Sequence, residues 1–355
     1  MKPAVDPRTD FLRVRFADGP PASADFHWFW LRHLCDCCRH PQTHERTLRP
    51  SDVPLDILPR SVALSPDGKR LSVIWPDAAG DHASDYALDW LRANAYAPDA
   101  GELEPPPSDV SKVELRATQF ASGESLARAC LARMAESGAV LVRGAGLDTE
   151  ARIDDFVACG LRVIPTHFGR IEDLRTDNTT NQNTDQLGYT DAAVDLHTDQ
   201  PFLAEPPRHQ MLHCMQPAAE GGDSTVADAR AAAEYLRRTD AHSFELLSTV
   251  PIRFHRVQKS FEKLHVSPLL ELRDGELVRA RSSYFTMAPQ QLDFARMEAW
   301  YRAYQRWERL VADPRHHYRF RLGAGDFLLY DNWRMLHART SFRGARWVRG
   351  IYFDP

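Results

Sequence analysis

The sequence predicts a mainly β protein with α insertions, whose larger part is a double-stranded β-helix, or jelly roll. One observation behind this is a series of short apolar runs separated by turn residues, at 210–215, 224–227, 319–322, 327–330 and 347–353. The other is the irregular insertion of helical patterns among them, at 228–238 and 289–311. A doubly wound sheet is disfavoured because strands and helices do not alternate regularly and no glycine-rich phosphate turn is present.

A proline-rich segment divides the chain. Residues 96–110 contain four prolines and few apolar side chains, as is typical of interdomain linkers. We therefore expect a small domain at 1–95 and a larger one at 111–355. The larger one begins with a helical pattern at 124–137 and an apolar strand at 139–143, and a further helix is expected at 154–161.

The small domain has the pattern of short strands. Residues 11–16 alternate apolar and polar side chains, and the runs 61–64 and 70–75 flank Ser65-Pro66-Asp67-Gly68, which has turn residues in suitable places for a hairpin. Residues 84–92 suggest a short helix with Ser84 as its N-cap, which would put Leu88 and Leu91 on one side. The small domain is thus expected to be β-rich.

Composition and charge exclude several classes of protein. The formal net charge is −5, and the 26% of charged residues form no basic stripe, which argues against nucleic acid or an anionic membrane as a partner. The longest apolar stretches have the length of strands, not of membrane spans. Because the N-terminus lacks the apolar core of a signal peptide, we expect a cytoplasmic protein. Since nucleic acid and membrane are disfavoured as partners, we expect a small-molecule substrate.

The motif His197-Thr198-Asp199 has the spacing of a metal site. Residues two apart on an extended strand point to the same side, so His197 and Asp199 can bind one ion. His337 follows the apolar run 327–330 and supplies a second imidazole. Two histidines and one carboxylate on one face of an octahedron leave three positions open, an arrangement typical of non-haem Fe(II) oxygenases.

The last apolar run begins beside an arginine. Period-two alternation puts Arg346, Val348, Gly350 and Tyr352 on one face of a strand, with Arg349 on the other. A guanidinium near the metal can make a bidentate salt bridge to a dicarboxylate. Taken alone, Arg346 is more typical of a surface charge on an edge strand.

Together these motifs resemble the family of 2-oxoglutarate-dependent dioxygenases that includes taurine dioxygenase and γ-butyrobetaine hydroxylase. The resemblance extends over nearly the whole chain and rests on His197-Thr-Asp-Gln-Pro, Pro206-Pro207, Gln210-Met-Leu-His-Cys214, Gly221-Gly222-Asp223-Ser224 and Asp331-Asn-Trp-Arg-Met-Leu-His337, followed by the strand that Arg346 opens. It implies Fe(II), 2-oxoglutarate and O2 as cofactor and cosubstrates, with ascorbate as reductant and with release of succinate and CO2. It also implies that Arg346 binds the far carboxylate of 2-oxoglutarate, with Leu212 and Ser224 close to the cosubstrate.

A cluster of thiols marks the small domain. Cys35, Cys37 and Cys38 lie within a few residues of His40, and His82 follows in the same domain. Three cysteines and one histidine form a closed structural zinc site, which would stabilise a domain with a small core. Here the chain also resembles the N-terminal zinc module of butyrobetaine hydroxylase-like enzymes, in Trp30-Leu-Arg before the cysteines and in His82 ahead of Asp89-Trp-Leu. Because Cys37 and Cys38 are adjacent, His40 in place of Cys38 stays an alternative third ligand.

The substrate is indicated only in part. The resemblance implies that Tyr189 and Tyr352 are cage tyrosines for a quaternary ammonium group, which aromatic rings bind through cation–π contacts. The polar segment 175–190 contains Asn183 and no tryptophan, which argues against γ-butyrobetaine itself. With Arg281, this segment is expected to bind an anionic head. We therefore expect hydroxylation of a trimethylamino acid, a betaine or an aminophosphonate.

Two alternatives remain at this stage. One is a sulfonate- or phenoxyacid-cleaving dioxygenase of the same chemistry, although such relatives generally lack the zinc module. The other is a catalytically silent zinc-stapled binding protein, which the complete set of His197, Asp199, His337 and Arg346 disfavours. The resemblance also implies a homodimer.

Overall fold

The computed structural model describes residues 3–17, 20–77, 80–96, 113–176 and 186–355. Asn183 and most of the predicted linker lie outside the described residues. None of the helices in the described ranges is long and apolar enough to cross a membrane. The mainly β character with inserted helices is confirmed.

The N-terminal part consists of two three-stranded antiparallel sheets and two short helices. The first sheet contains β1 (Ala4–Pro7), β2 (Phe11–Arg15) and β3 (Ser23–His27), and is followed by α1 (Trp28–His33). The second contains β4 (Ser61–Leu64), β5 (Arg70–Asp77) and β6 (Gly80–Ala87), and is followed by α2 (Leu88–Ala93). The hairpin predicted around Gly68 is confirmed, and the positive φ of 69° at Gly68 explains the glycine.

The helix expected at 84–92 is wrong in its first half. Ser84 pairs with Val73 in the ladder between β5 and β6, and its hydroxyl accepts a hydrogen bond of 2.9 Å from the indole N–H of Trp75. Because these pairings keep the chain extended, the helix begins only at Leu88. Leu88 and Leu91 are buried on its inner side.

The larger part contains a major and a minor β-sheet. Its elements, in chain order, are β7 (Glu114–Arg116), α3 (Gly123–Ser137), β8 (Ala139–Arg143), α4 (Thr149–Ala158), β9 (Arg162–Val163), β10 (Glu172–Arg175), β11 (Val194–His197), β12 (His209–Gln216), β13 (Glu220–Gly221), β14 (Ser224–Asp228), α5 (Ala229–Thr239), α6 (Ala241–Thr249), β15 (Ile252–Gln258), β16 (Phe261–Ser267), β17 (Leu270–Arg273), β18 (Glu276–Ala280), α7 (Phe294–Val311), β19 (His317–Phe320), β20 (Phe327–Asp331), β21 (Met335–Arg339), β22 (Phe342–Arg343) and β23 (Trp347–Asp354). The major sheet has the order β10-β23-β12-β20-β8-β7, with β9 paired to β23, and the minor sheet has the order β11-β21-β14-β19. The helix expected at 154–161 instead spans Thr149–Ala158, where the Asp148 carboxylate caps the N–H of Ala151.

The major sheet is buried on both faces, which explains its nearly continuous apolar strands. On the outer face, Met211, Phe327 and Ile351 pack with side chains of α3 and α4. On the inner face, Leu212, Leu328 and Val348 pack with residues of the minor sheet, so that the two sheets face each other. The alternation along β12 and β23 therefore decides which side chains reach the space between the sheets.

A third core joins the N-terminal part to the rest of the chain. It contains Trp28, Trp30 and Trp75 from the first 96 residues together with Trp300 and Trp307 of α7. All five indoles are at most 1% exposed. This shared core holds the N-terminal part against the helices that flank the minor sheet.

Candidate active site

His197, Asp199 and His337 come together at one point of the minor sheet. His197 ends β11 and pairs directly with His337 of β21, so their side chains lie on the same face. One oxygen of Asp199, Oδ1, lies 3.3 Å from Nε2 of His197 and 3.4 Å from Nε2 of His337. Neighbouring ligands of an octahedral cation with bonds of about 2.1 Å lie about 3 Å apart. The donor set therefore fits a single octahedral ion with one face left open.

Hydrogen bonds around the three residues fix their orientation. Nδ1 of His197 lies 2.8 Å from the carbonyl of Asp195, an acceptor that leaves Nε2 as the metal-binding nitrogen. The backbone N–H of Asp199 donates to Oδ1 of Asn332 at 2.7 Å, and Nδ2 of Asn332 donates to the Asp199 carbonyl at 3.0 Å. Asn332 is 1% exposed, so this pair of bonds is shielded from water.

The electrostatics favour a charged Asp199 carboxylate beside a neutral His337 imidazole. Burial alone would raise the pKa of Asp199, but the adjacent His337 and His197 hold it well below its usual range. Burial and the neighbouring His197 lower the pKa of His337. Both shifts favour the protonation states that bind a metal ion.

The loop that follows Asp199 is strained and tightly held. Gln200 has a left-handed φ of 56°, which non-glycine residues rarely adopt. The guanidinium of Arg281 donates to the carbonyls of Pro201 at 2.9 Å, Leu203 at 2.5 Å and Ala204 at 2.7 Å, and it pairs with Glu271. Arg281 is not among the residues that line the cavity described next. Its position corrects the expectation of a substrate contact, because its donors are occupied in holding this loop.

A cavity lies between the two sheets beside the three donors. It holds about 960 Å³ of space, counting its open mouth, and is lined by residues of both sheets, of the loops and of the N-terminal part. Its aromatic wall is formed by Phe168, Phe202, Phe285 and Tyr352. A lining that combines aromatic rings with a few polar and charged groups is typical of small-molecule sites.

The lining of the cavity includes the residues predicted for 2-oxoglutarate. Arg346, Leu212 and Ser224 all line it. Burial lowers the pKa of Arg346 to about 10, which leaves the guanidinium charged at neutral pH. Within the described part of the chain no carboxylate pairs with Arg346, and the nearest ring, that of Phe342, is 5.5 Å from the guanidinium carbon. Arg346 is thus a cation with room for an anionic ligand.

The two predicted cage tyrosines have different positions. Tyr352 lines the cavity, and its hydroxyl donates to Oδ2 of Asp199 at 2.7 Å. Tyr189 is 3% exposed and is not among the lining residues; its hydroxyl donates to Oε1 of Glu172 at 3.1 Å. Burial raises the pKa of both hydroxyls, so both remain hydrogen-bond donors. The side chain that Tyr189 supports, Glu172, lines the cavity instead.

Glu45 and Arg256 were missed by sequence reasoning. Glu45 belongs to the N-terminal part and Arg256 to β15, yet they form a buried ion pair that lines the cavity. The side chain of Glu45 is 3% exposed and that of Arg256 is 6% exposed. Glu45 also accepts a hydrogen bond from the backbone N–H of Leu187. No local pattern links two residues so distant in sequence.

The four predicted zinc ligands also meet. Nε2 of His82 lies 3.3 Å from Sγ of Cys35, 3.1 Å from Sγ of Cys37 and 3.8 Å from Sγ of Cys38. Ligands of a tetrahedral zinc ion with bonds of about 2.1 and 2.3 Å lie about 3.6 Å apart. The donor set therefore fits a closed tetrahedral site. His40 is not part of this group; its Nδ1 accepts from the N–H of Thr43 at 3.4 Å.

Protons are unevenly shared in the cysteine cluster. A hydrogen bond from Cys38 lowers the pKa of Cys35 to about 4, whereas burial raises the pKa of Cys37 to about 11. Arg32 donates to Sγ of Cys38 at 3.2 Å. A divalent cation here would have to displace the remaining thiol protons, which couples metal binding to pH.

The facing sheets and the His–Asp–His donor set define the class of non-haem Fe(II) oxygenases. The family model described as taurine catabolism dioxygenase TauD, TfdA family matches residues 102–352, and the model described as gamma-butyrobetaine hydroxylase-like, N-terminal, matches residues 4–92. The chain belongs to the TauD/TfdA family and is an Fe(II)- and 2-oxoglutarate-dependent dioxygenase.

Relatives match along almost the whole chain. A gamma-butyrobetaine dioxygenase from Pseudomonas sp. (strain AK-1) is 33% identical over 364 residues, covering 97% of this chain and 90% of the relative. A trimethyllysine dioxygenase from Meyerozyma guilliermondii is 28% identical over 383 residues, covering 97% and 91%. Among solved structures, AAD-2 in complex with Mn(II) and N-oxalylglycine has a TM-score of 0.52 at 13% identity, covering 72% of this chain and 98% of that chain. This last likeness concerns the fold.

Proposed function

We propose that this dioxygenase hydroxylates a small zwitterion that carries a cationic nitrogen and an acid group, such as a trimethylamino acid, a betaine or an aminophosphonate. The observation that carries the proposal is the make-up of the cavity beside the iron donors. Its lining combines Glu172, the Glu45–Arg256 pair and an aromatic wall. Opposite charges close to apolar rings suit a molecule that is itself both charged and compact. The relatives named for butyrobetaine and trimethyllysine act on molecules of this kind.

In this proposal His197, Asp199 and His337 hold Fe(II). Bound there, the iron supplies oxidation of a C–H bond by O2, coupled to conversion of 2-oxoglutarate into succinate and CO2. The protein contributes the open face and the geometry. Asn332 fixes the backbone of Asp199, and the hydroxyl of Tyr352 fixes its second oxygen.

Arg346 is proposed to bind the far carboxylate of 2-oxoglutarate. A guanidinium can hold a carboxylate through two parallel hydrogen bonds, which fixes the distance and angle of the cosubstrate. Leu212 and Ser224 line the same cavity, one with apolar surface and one with a hydroxyl. Glu172 and Arg256, which also line it, are proposed to face the substrate.

The double-stranded β-helix and the zinc site are parts of the same proposal. The facing major and minor sheets support the former, and the convergence of Cys35, Cys37, Cys38 and His82 supports the latter. The homodimer implied by the resemblance stays a prediction, as does the role of ascorbate as reductant.

The decisive experiment follows succinate formation by the purified protein with Fe(II), ascorbate and 2-oxoglutarate. A panel of betaines, trimethylamino acids and aminophosphonates is compared with sulfonates and phenoxyacids. At least one zwitterion should raise succinate formation over the background, and the His197→Ala variant should abolish the response. A response to sulfonates or phenoxyacids alone would contradict the proposal and favour the cleaving activity.

Zinc is tested separately by elemental analysis of protein purified without added metal. Stoichiometric zinc is expected in the wild type and in the control variant Cys159→Ser, because Cys159 lies outside the cluster. Cys37→Ser should lose the zinc and unfold at a lower temperature. If the wild-type protein contains no zinc and unfolds at the same temperature as Cys37→Ser, a structural role of zinc is excluded.

A further inference from the structure

Glu172 is a buried carboxyl with one free side. It begins β10 directly opposite Gly350 of β23 and is 4% exposed. Its Oε1 accepts hydrogen bonds from the side-chain amide of Gln186 and from the hydroxyl of Tyr189. Within the described ranges, no hydrogen bond reaches Oε2, and no Lys, Arg or His forms an ion pair with Glu172.

The space next to Oε2 is kept open by a glycine. A Cβ built on Gly350 would lie 3.7 Å from Oε2 of Glu172 and 3.8 Å from Nε2 of Gln210. The backbone of Gly350 has no positive φ, so the conformation would tolerate other residues. A side chain at position 350 would be in van der Waals contact with Oε2, and the glycine leaves that side of the oxygen uncovered.

Gln200 gives a second, independent sign of a missing ligand. It is 6% exposed and lines the same cavity, and among the described residues neither its amide nitrogen nor its amide oxygen has a hydrogen-bond partner. A buried amide left unpaired is destabilising, because no hydrogen bond compensates for the loss of its contacts with water. Its left-handed backbone adds strain, which proteins retain mainly at functional sites.

We propose that Glu172 and Gln200 bind the cationic nitrogen of the substrate through N–H hydrogen bonds, so that this nitrogen is a protonated amine bearing hydrogens and not a quaternary ammonium. This rests on the proposed function and narrows its substrate class. Oε2 of Glu172 and the amide oxygen of Gln200 are acceptors, and a trimethylammonium group offers no donor to either. Burial and the nearby Asp199 raise the pKa of Glu172 to about 8. A protonated amine next to Oε2 favours the charged form of this carboxyl and can donate to both oxygen acceptors.

The surroundings agree with this assignment. Phe168, Phe202 and Phe285 give the cavity an apolar wall. Tyr189, whose hydroxyl is directed to Glu172, is not among the residues that line it. Of the two predicted cage tyrosines, only Tyr352 faces the cavity, and its hydroxyl is engaged by Asp199. The carboxyl of Glu172 and the amide of Gln200 therefore give this cavity a polar character beside its rings.

The test compares two matched pairs of probes: 4-aminobutanoate with its N-trimethyl form, and 2-aminoethylphosphonate with its N-trimethyl form. Binding to the protein loaded with Fe(II) and 2-oxoglutarate is measured by calorimetry without oxygen. Sites built to hydrogen-bond an N–H group discriminate strongly against analogues that lack it. In at least one pair the amine should bind at least about 100-fold more tightly than its trimethyl form. Glu172→Gln should reduce that ratio about tenfold or more, and the matched control Glu124→Gln, on the exposed side of α3, should leave it unchanged.

Three outcomes overturn the inference. Tighter binding of the trimethyl form in both pairs would refute it while leaving the proposed function intact. An unchanged ratio in Glu172→Gln, with 2-oxoglutarate affinity retained as evidence of folding, would also refute it. If neither member of either pair binds although 2-oxoglutarate does, the proposed zwitterion class fails, and the inference fails with it.

Discussion

Replacing Asn332 by alanine should weaken iron binding without touching a ligand. The amide of Asn332 makes two hydrogen bonds to the backbone of Asp199 and a third, of 3.0 Å, to the carbonyl of Pro207. Each such bond contributes about 1 kcal/mol net. If the free energy of the two bonds to Asp199 contributes fully to Fe(II) binding, their loss of about 2 kcal/mol raises the Kd for Fe(II) about 30-fold. This falls within the roughly 10- to 100-fold range typical of residues that orient metal ligands.

The assay is an anaerobic titration of metal-free protein with Fe(II) in the presence of saturating 2-oxoglutarate. Asn94→Ala is a matched control, because Asn94 is also buried and its amide donates to the Trp90 carbonyl at 2.8 Å, in the N-terminal part. The control should lose stability but keep its iron affinity. A Kd for Asn332→Ala within about threefold of the wild-type value would show that the backbone of Asp199 is held by other contacts, and the reasoning would be wrong.

Three more predictions follow from buried charges. Arg346→Met should raise the Kd for 2-oxoglutarate at least about 100-fold in calorimetry, since two hydrogen bonds to a charged group are lost; an unchanged Kd would exclude Arg346 as its anchor. Glu45→Gln removes a buried carboxylate that pairs with Arg256 and should cost about 3–5 kcal/mol in urea unfolding. Replacing both residues by methionine should recover most of this, and equal losses in the two variants would refute the pairing argument. Burial raises the pKa of Glu308 from 4.5 to about 7. Between these two pH values the folded state keeps a proton that the unfolded chain releases, so the free energy of unfolding falls as the pH rises from about 4.5 through 7. Glu308→Gln should therefore gain up to about 3 kcal/mol relative to wild type between pH 5 and pH 8 in urea unfolding, and a constant difference across this range would contradict the assignment.

Local patterns were sufficient to predict most strands and to predict that His197, Asp199 and His337 lie close together. His197 and Asp199 are two residues apart on an extended segment. The strand that carries His337 directly follows the apolar run 327–330, which is recognisable in the sequence. Period-two alternation also predicted that Tyr352 shares a face with Arg346, and both line the cavity. These features depend on neighbours in sequence, so a single sequence reveals them.

The part of the cavity proposed to face the substrate depends on contacts between distant segments. The Glu45–Arg256 pair joins residues 211 apart, and neither lies in a motif. Glu172 begins a short strand whose sequence, Glu-Asp-Leu-Arg, gives no sign of a binding site. Its pairing with Gly350 and its place in the cavity lining are visible only in the folded structure. Arg281 illustrates the opposite error: its charge suggested a ligand, but the fold uses it to bind backbone carbonyls.

The loop that carries Glu45 has a consequence for how such enzymes can be recombined. The loop begins at Cys38 and returns to it, with the N–H of Thr47 donating to the Cys38 carbonyl at 3.0 Å and Arg46 donating to the Cys35 carbonyl at 3.3 Å. One short stretch of chain thus connects the cysteine cluster with the wall of the cavity. A chimera that takes its first 95 residues from a relative would also exchange the counter-charge of Arg256. Chimeras of this kind should therefore fold stably only when the two parent enzymes have matching residues at positions 45 and 256.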